Sequence, residues 1–432
     1  MSTKTDNLLY FLVLSLPPAL VTGPFLPDLF ISICTIIFLI NLFIKKQINI
    51  FKNDFVKIFL IFYIYIVIRS LFSDEILFSL KNTFFYFRFL ALALLIKYLI
   101  INKANFLKFF MISILLSLVI VSIDAIVEFS LDYHWLFDKS KYAEFSVSNR
   151  ISGLFDEEYI LGGFILSFFP ITLILFKEFY KKKKKYFINF FLILVIILFV
   201  YAIIITGERA TLAKLCLLLI IIILFTKILG NWKIKLIYLF SFIIFLFVSI
   251  SFQPILKDRL IYHTLNLLLQ NEANMKISDE NNLTDFIKNK KFTDIKITYY
   301  SNEHSDHALI SLKMFNNNIL FGQGVKMFRV FCSKKDYYIN DRACSTHSHG
   351  VLLSFLSELG VIGLSFLILI YFLLFKLFLK SNSNSQKILL ITLFIYLFPL
   401  IPSGYFFNNY FSIVLYILTG LYLGIKKIKN II

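Results

Sequence analysis

The chain has 432 residues, 59% of them hydrophobic and 16% charged, with a mean hydropathy of +0.81. Globular chains carry roughly 45–50% apolar and about 25% charged residues, so this composition excludes a soluble fold. The net charge of +18 sits mainly in lysines flanking apolar runs, which reads as a topology signal with attraction to lipid headgroups, not as a nucleic-acid patch.

In chain order the apolar runs are Leu8–Val21, Leu29–Ile44, Phe55–Phe72, Phe84–Ile100, Phe106–Phe129, Tyr159–Phe176, Phe187–Ile205, Ala210–Thr226, Leu236–Phe252, Val351–Phe375, Ile388–Leu400 and Phe406–Leu423. Apolar runs of about 20 residues span a bilayer as helices, because lipid offers the backbone no hydrogen-bond partner. The expected fold is therefore an all-α integral membrane protein with about twelve spans. The first run, interrupted by Pro17 and Pro18, reads as a span and not as a cleaved leader.

Lys45 and Lys46, the run Lys181–Lys185, Lys233 and Lys235, Lys376 and Lys380, and Lys426 and Lys427 fall in alternate loops. The positive-inside rule places those loops and both termini in the cytoplasm. The outer loops are then about Ser130 to Glu158 and Gln253 to Gly350. The expected organisation is spans over 1–252, an outer loop domain over 253–350 and further spans over 351–432. Helices are expected in that loop at Ile255–Gln270 and His304–Asn316, and Asn271–Asn289 is a polar stretch. No dinucleotide or P-loop glycine fingerprint occurs.

All 6 histidines, His134, His263, His304, His307, His347 and His349, fall on the outer side. Histidine accepts protons near neutral pH, which suits an outward-facing active site; the bland alternative is a solvated loop residue. Arg69, Arg88, Asp124, Glu128, Arg209 and Lys214 lie toward the outer ends of their spans. Ionisable groups at that depth mark a cavity, unless they snorkel or pair.

Four segments concentrate chemistry: SNRISGLFDEEYILGGF with Arg150, TGERATLAKL with Glu208 and Arg209, GQGVKMFRVFC with Lys326 and Arg329, and CSTHSHGVLLSFLSELGVIG with His347 and His349. Guanidinium groups grip phosphate oxygens in two-pronged fashion. Several cations and a histidine at an outer mouth suit a lipid-linked diphosphate held at headgroup level. Cys332 and Cys344 form a disulfide if the compartment is oxidising; free thiols and a metal site are the alternatives, and their spacing is not that of a zinc finger. Cys34 and Cys216 read as packing residues.

These residues resemble the O-antigen ligase family, which includes O-antigen polymerases and protein O-oligosaccharyltransferases. Its signature is a His, an Asn, Ser or Gln, nine residues, a Gly, two residues and a Gly, Thr or Tyr. Here His349 is followed by Gly350, nine residues, Gly360, Val361, Ile362 and Gly363; Gly350 departs from the pattern, and His347 or Ser348 stands nearby. NNNILFGQGVKMF is similar to the family's glycine stretch without its proline, and TGERAT to its outer arginine turn. SNRISGLFDEEYILGG and IPSGYFFNNYFS resemble one branch. A further arginine that ligases carry upstream of the glycine stretch is not evident, and His304 or His307 occupies that neighbourhood.

The resemblance implies a glycosyltransferase-C-like fold with one large, partly helical periplasmic loop in the bacterial inner membrane. The activity implied is an inverting, metal-independent transfer needing no cofactor. The donor would be an undecaprenyl-diphosphate-linked glycan and the acceptor lipid A-core, with polymerisation on the lipid carrier or a carrier without chemistry as alternatives. His349 would receive or orient the acceptor proton and Arg209 would stabilise the departing diphosphate. Arg150, Glu208, His307, Lys326, Arg329 and His347 would bind substrate.

Overall fold

The computed structural model describes residues 2–131, 134–136, 150–156, 158–179, 185–227, 230–262, 264–265, 269–270, 296–297 and 302–429. His263, Lys181–Lys184, Glu157 and Asn271–Asn289 lie outside the described residues. Fourteen helices of nine residues or more carry labels here: α1 Ser2–Leu14, α2 Phe25–Ile44, α3 Asp54–Leu71, α4 Ile76–Phe84, α5 Phe87–Asn102, α6 Phe106–Leu131 and α7 Leu161–Phe179, then α8 Lys185–Ile205, α9 Arg209–Phe225, α10 Trp232–Ser251, α11 Asn302–Asn317, α12 Val351–Lys380, α13 Asn384–Tyr396 and α14 Asn409–Lys429.

Among the described residues six stretches are long and apolar enough to cross a membrane: Phe25–Ile44, Ile76–Asn102, Phe106–Leu131, Trp232–Ser251, Val351–Lys380 and Asn409–Lys427. They mark the chain as a helical membrane protein. Shorter apolar helices cover Leu161–Phe176 and Phe190–Ile205. On α10, Ile237, Phe240, Ile244 and Phe247 are exposed, as lipid-facing side chains are where no water drives them inward.

Several edges differ from the sequence reading. The first run is broken: α1 ends at Leu14 and a separate turn, Leu16–Ala19, carries Pro17 and Pro18. Proline lacks the N–H that would continue the ladder. Among the described residues the helices expected within Ile255–Gln270 are present as short pieces, an α-helical turn at Pro254–Lys257 and a π-helical turn at Asp258–Tyr262, while the end of that stretch is a strand, Leu269–Gln270, paired antiparallel with Lys296–Ile297. The second expected loop helix is present as α11.

The chain forms two compact units. The first comprises Met1–Ser117, Ser167–Ile188 and Asp306–Ile432. Its central helix is α5, where Phe89–Ile96 are buried without a polar face; a helix apolar all round belongs inside. Gly420 and Gly424 let α14 lie directly on it, since a Cβ at Gly424 would come within 2.5 Å of Ile100 and one at Gly420 within 2.8 Å of Ile96. Small residues at such crossings gain close backbone packing. A smaller core in the same unit joins Ile310 and Met314 of α11 to Met327, Phe328, Phe331 and Tyr337. The disulfide Cys332–Cys344, with Cα atoms 5.0 Å apart, closes that segment.

The second unit comprises Leu118–Leu166 and Asn189–Ser305. Ile151 N–H donates to the Thr206 carbonyl at 3.4 Å, joining the Arg150 segment to the turn before α9.

Candidate functional site

In the first unit the two glycine motifs meet. Gly322 and Gly324 have φ of +66° and +106°, and Gly360 interrupts α12 with φ +64°. The break frees donors and acceptors of α12, and the glycine loop takes them. Gln323 N–H donates to Ser357 O at 2.9 Å, Gly324 N–H to Glu358 O at 2.8 Å, and Val361 N–H to Ile319 O at 2.8 Å. A Cβ at Gly322 would lie 2.3 Å from the Glu358 carbonyl carbon, and one at Gly360 2.5 Å from Leu320 O. Only glycine fits either position. Arg69, buried at the end of α3, donates from Nη2 to the Gly322 carbonyl at 2.6 Å and from Nε to it at 3.0 Å. Its intramembrane charge is used to hold this loop.

That scaffold presents the histidines. His307 projects from α11 on the buried stripe it shares with Ile310 and Met314. Its ring centroid is 4.9 Å from that of His349, and the His347 ring centroid is 4.1 Å from that of His349. His349 has φ +51° and Lys326 φ +63°, a left-handed conformation uncommon for residues with a Cβ, and such strain collects at functional sites. His349 Nε2 is 3.1 Å from Ser345 Oγ, and its carbonyl accepts from Ser403 N–H at 3.0 Å.

Beneath the stack, Tyr405 donates to Glu358 Oε2 at 2.5 Å and accepts from Lys326 N–H at 2.8 Å. His347 packs 5.6 Å from the Tyr405 ring. Burial holds the Lys326 ammonium below its usual range, with Arg329 adding to the effect and Glu358 opposing it. Arg329 lies over the Phe78 ring at 5.7 Å. Ser348 pairs with Ser354 Oγ at 2.9 Å, so its hydroxyl braces the start of α12.

The second unit holds a cationic cluster. Arg150 lies over the Tyr159 ring at 5.3 Å. Glu208 accepts from Gly162 N–H at 2.9 Å and from Thr211 Oγ1 at 2.5 Å. Burial of that carboxyl raises its pKa, opposed by Thr211, Gly162 and Arg150. Glu208 therefore acts as a structural tie: both its oxygens are spent on the fold. Arg259 donates weakly to the Gly207 carbonyl at 3.5 Å. Its guanidinium is held down to about 10, first by burial and then by Arg150 and Arg209. Three guanidinium groups thus share one neighbourhood, an arrangement that costs free energy until an anion enters it.

Of the sequence-derived residues, His307, Lys326, Arg329, His347 and His349 come together in the first unit, and Arg150, Glu208 and Arg209 in the second. Sequence reading missed Glu358, Tyr405 and Arg259. Glu358 had a usable signal, a carboxylate inside an apolar run, and Tyr405 lies in the IPSGYFFNNYFS segment of the resemblance; Arg259 had none, since loop arginines are common.

No protein-family model matches the sequence, and no curated protein matches it significantly. The family resemblance therefore rests on the motif residues themselves.

Proposed function

We propose that the chain is a glycosyltransferase of the bacterial inner membrane, with about twelve spans, cytoplasmic termini and an active site facing the periplasm. It ligates a glycan from undecaprenyl diphosphate onto lipid A-core. The observation that carries this reading is the strained His349 beside His307 and His347, seated on the interlock of Gly322 with Gly360. Both motifs of the resemblance converge there, and rigid support of a strained histidine is what proton transfer at a hydroxyl needs.

His349 takes the proton of the acceptor hydroxyl as that oxygen attacks the anomeric carbon. The carbon–oxygen bond to the diphosphate breaks from the opposite face, so configuration inverts. The electron pair leaves on the diphosphate; within the first unit Lys326 and Arg329 are the cations that meet its charge, while the role of Arg209 at the donor is what the resemblance implies. Diphosphate is a good leaving group, so no step is routed through a metal or cofactor.

The test is transfer by the purified protein, offered polyprenyl-diphosphate glycan with either lipid A-core or a second carrier-linked glycan. Product on lipid A-core is expected. His349→Ala should lower turnover by about 10²-fold or more. Arg209→Ala should be strongly impaired and Arg209→Lys partly active. Product only on carrier-linked glycan would reassign the chain as a polymerase. No product with either acceptor, alongside movement of carrier lipid across vesicles, would make it a carrier.

A further inference from the structure

A second cluster in the second unit takes no part in that chemistry. Asp124 and Glu128, one helical turn apart on α6, face His134, and all three are buried, with relative exposures of 6%, 1% and 1%. One donor atom from each lies within 4.8 Å of the others. We propose that Asp124, Glu128 and His134 bind one divalent metal cation, of the manganese or zinc type. The proposal is independent of the transfer reaction and assigns the cation a structural part.

Each carboxylate is oriented from behind. Asp124 Oδ1 accepts from the Trp135 indole at 2.7 Å, and Glu128 Oε2 accepts from Gly153 N–H at 2.7 Å. Metal-binding carboxylates are commonly held this way, one oxygen tied and the other presented. The remaining oxygens are Asp124 Oδ2, 3.2 Å from His134 Nε2, and Glu128 Oε1, which is buried with no hydrogen-bond partner among the described residues. Gly153 closes over the group: its φ is +56°, and a Cβ there would stand 2.9 Å from Asp124 Oδ2.

Charge supplies the second reason. Leu136 N–H donates to His134 Nδ1 at 3.2 Å, which leaves Nε2 as the nitrogen that faces Asp124. Among the described residues no lysine or arginine pairs with either acid. Buried carboxylates need protons or a cation. A divalent ion neutralises both and satisfies Glu128 Oε1. Donor–metal distances of about 2.0–2.2 Å place adjacent donors about 3 Å apart, so loading draws the group inward. Nitrogen with two carboxylate oxygens suits manganese or zinc.

The experiment uses the full chain in detergent, stripped with EDTA, then dialysed against Mn(II) or Zn(II) and counted by elemental mass spectrometry. About one metal per chain is expected, with a higher melting temperature on loading. Glu128→Gln, nearly isosteric, should abolish retention. Trp135→Phe, which leaves all three donors, should weaken it about 10- to 100-fold and guards against misfolding of the first variant. Zinc could instead sit on the other histidines, so His347→Ala is included and should keep the metal. A wild-type chain without stoichiometric metal would overturn the site, as would metal kept by Glu128→Gln or lost from His347→Ala.

Discussion

At the scale of single residues, His349 separates chemistry from folding cleanly. Its φ of +51° costs about 1 kcal/mol in any residue with a Cβ. His349→Gly removes both that strain and the ring. If the side chain serves packing, the variant should melt well below wild type. If it serves proton transfer, melting should hold within a few degrees while transfer falls about 10²-fold or more. The second outcome is expected, and thermal melting beside the transfer assay reads it.

Lys326 gives a prediction in pH. Its folded pKa lies below the ordinary 10.5 because burial and Arg329 disfavour the ammonium. Below the folded pKa the lysine is charged in both states and weakens the fold. As pH rises from the folded pKa toward the unfolded value, the unfolded chain binds more protons and this penalty fades. Lys326→Met should therefore raise the melting temperature most near neutral pH, and the gain over wild type should shrink toward pH 10. A gain that does not change with pH would show that the ammonium is not the cause. Transfer should fall in the same variant if Lys326 touches the diphosphate.

At the scale of elements, the break in α12 is the part that places the histidines. Gly360→Ala meets two costs: a left-handed φ, about 1–2 kcal/mol, and a Cβ placed 2.5 Å from Leu320 O. The glycine loop must retreat, taking Gly324 N–H off Glu358 O. The variant should lose several degrees of melting temperature and most activity, whereas Gly163→Ala, where a Cβ meets nothing within 4 Å, should lose neither. Sequence spacing made the glycines legible, because a motif with fixed Gly positions implies tight backbone. It did not show that Gly322 and Gly360 serve one contact, since residues far apart in sequence carry no register in a single chain. Nor did it show Arg69 as the clamp on Gly322: an arginine near a span end reads equally as a snorkelling group. The broken first run was half legible, Pro17 and Pro18 being visible and the boundary at Ser15 not.

At the scale of the whole molecule, the claim with most consequence is sidedness. The proposed sidedness, read from lysines in alternate loops and histidines elsewhere, puts the Lys45 loop in the cytoplasm and α11 in the periplasm. The Lys45 loop and the part of α11 that carries Lys313 fall within the first unit, so one pair of reporters tests them together. Lys52 and Lys313 are exposed and carry no contact that the site needs. A cysteine introduced by Lys313→Cys should react with a membrane-impermeant maleimide in intact spheroplasts. One introduced by Lys52→Cys should react only after lysis, and the native Cys34, buried in α2, should stay silent in both. Reversed labelling would put His349 in the cytoplasm, on the wrong side for a reaction in the periplasm and in a compartment that keeps thiols reduced, where Cys332–Cys344 would not persist. Labelling, disulfide and histidine stack are thus one test: the redox state that lets the Cys332–Cys344 loop close belongs to the same side as the acceptor that His349 would activate.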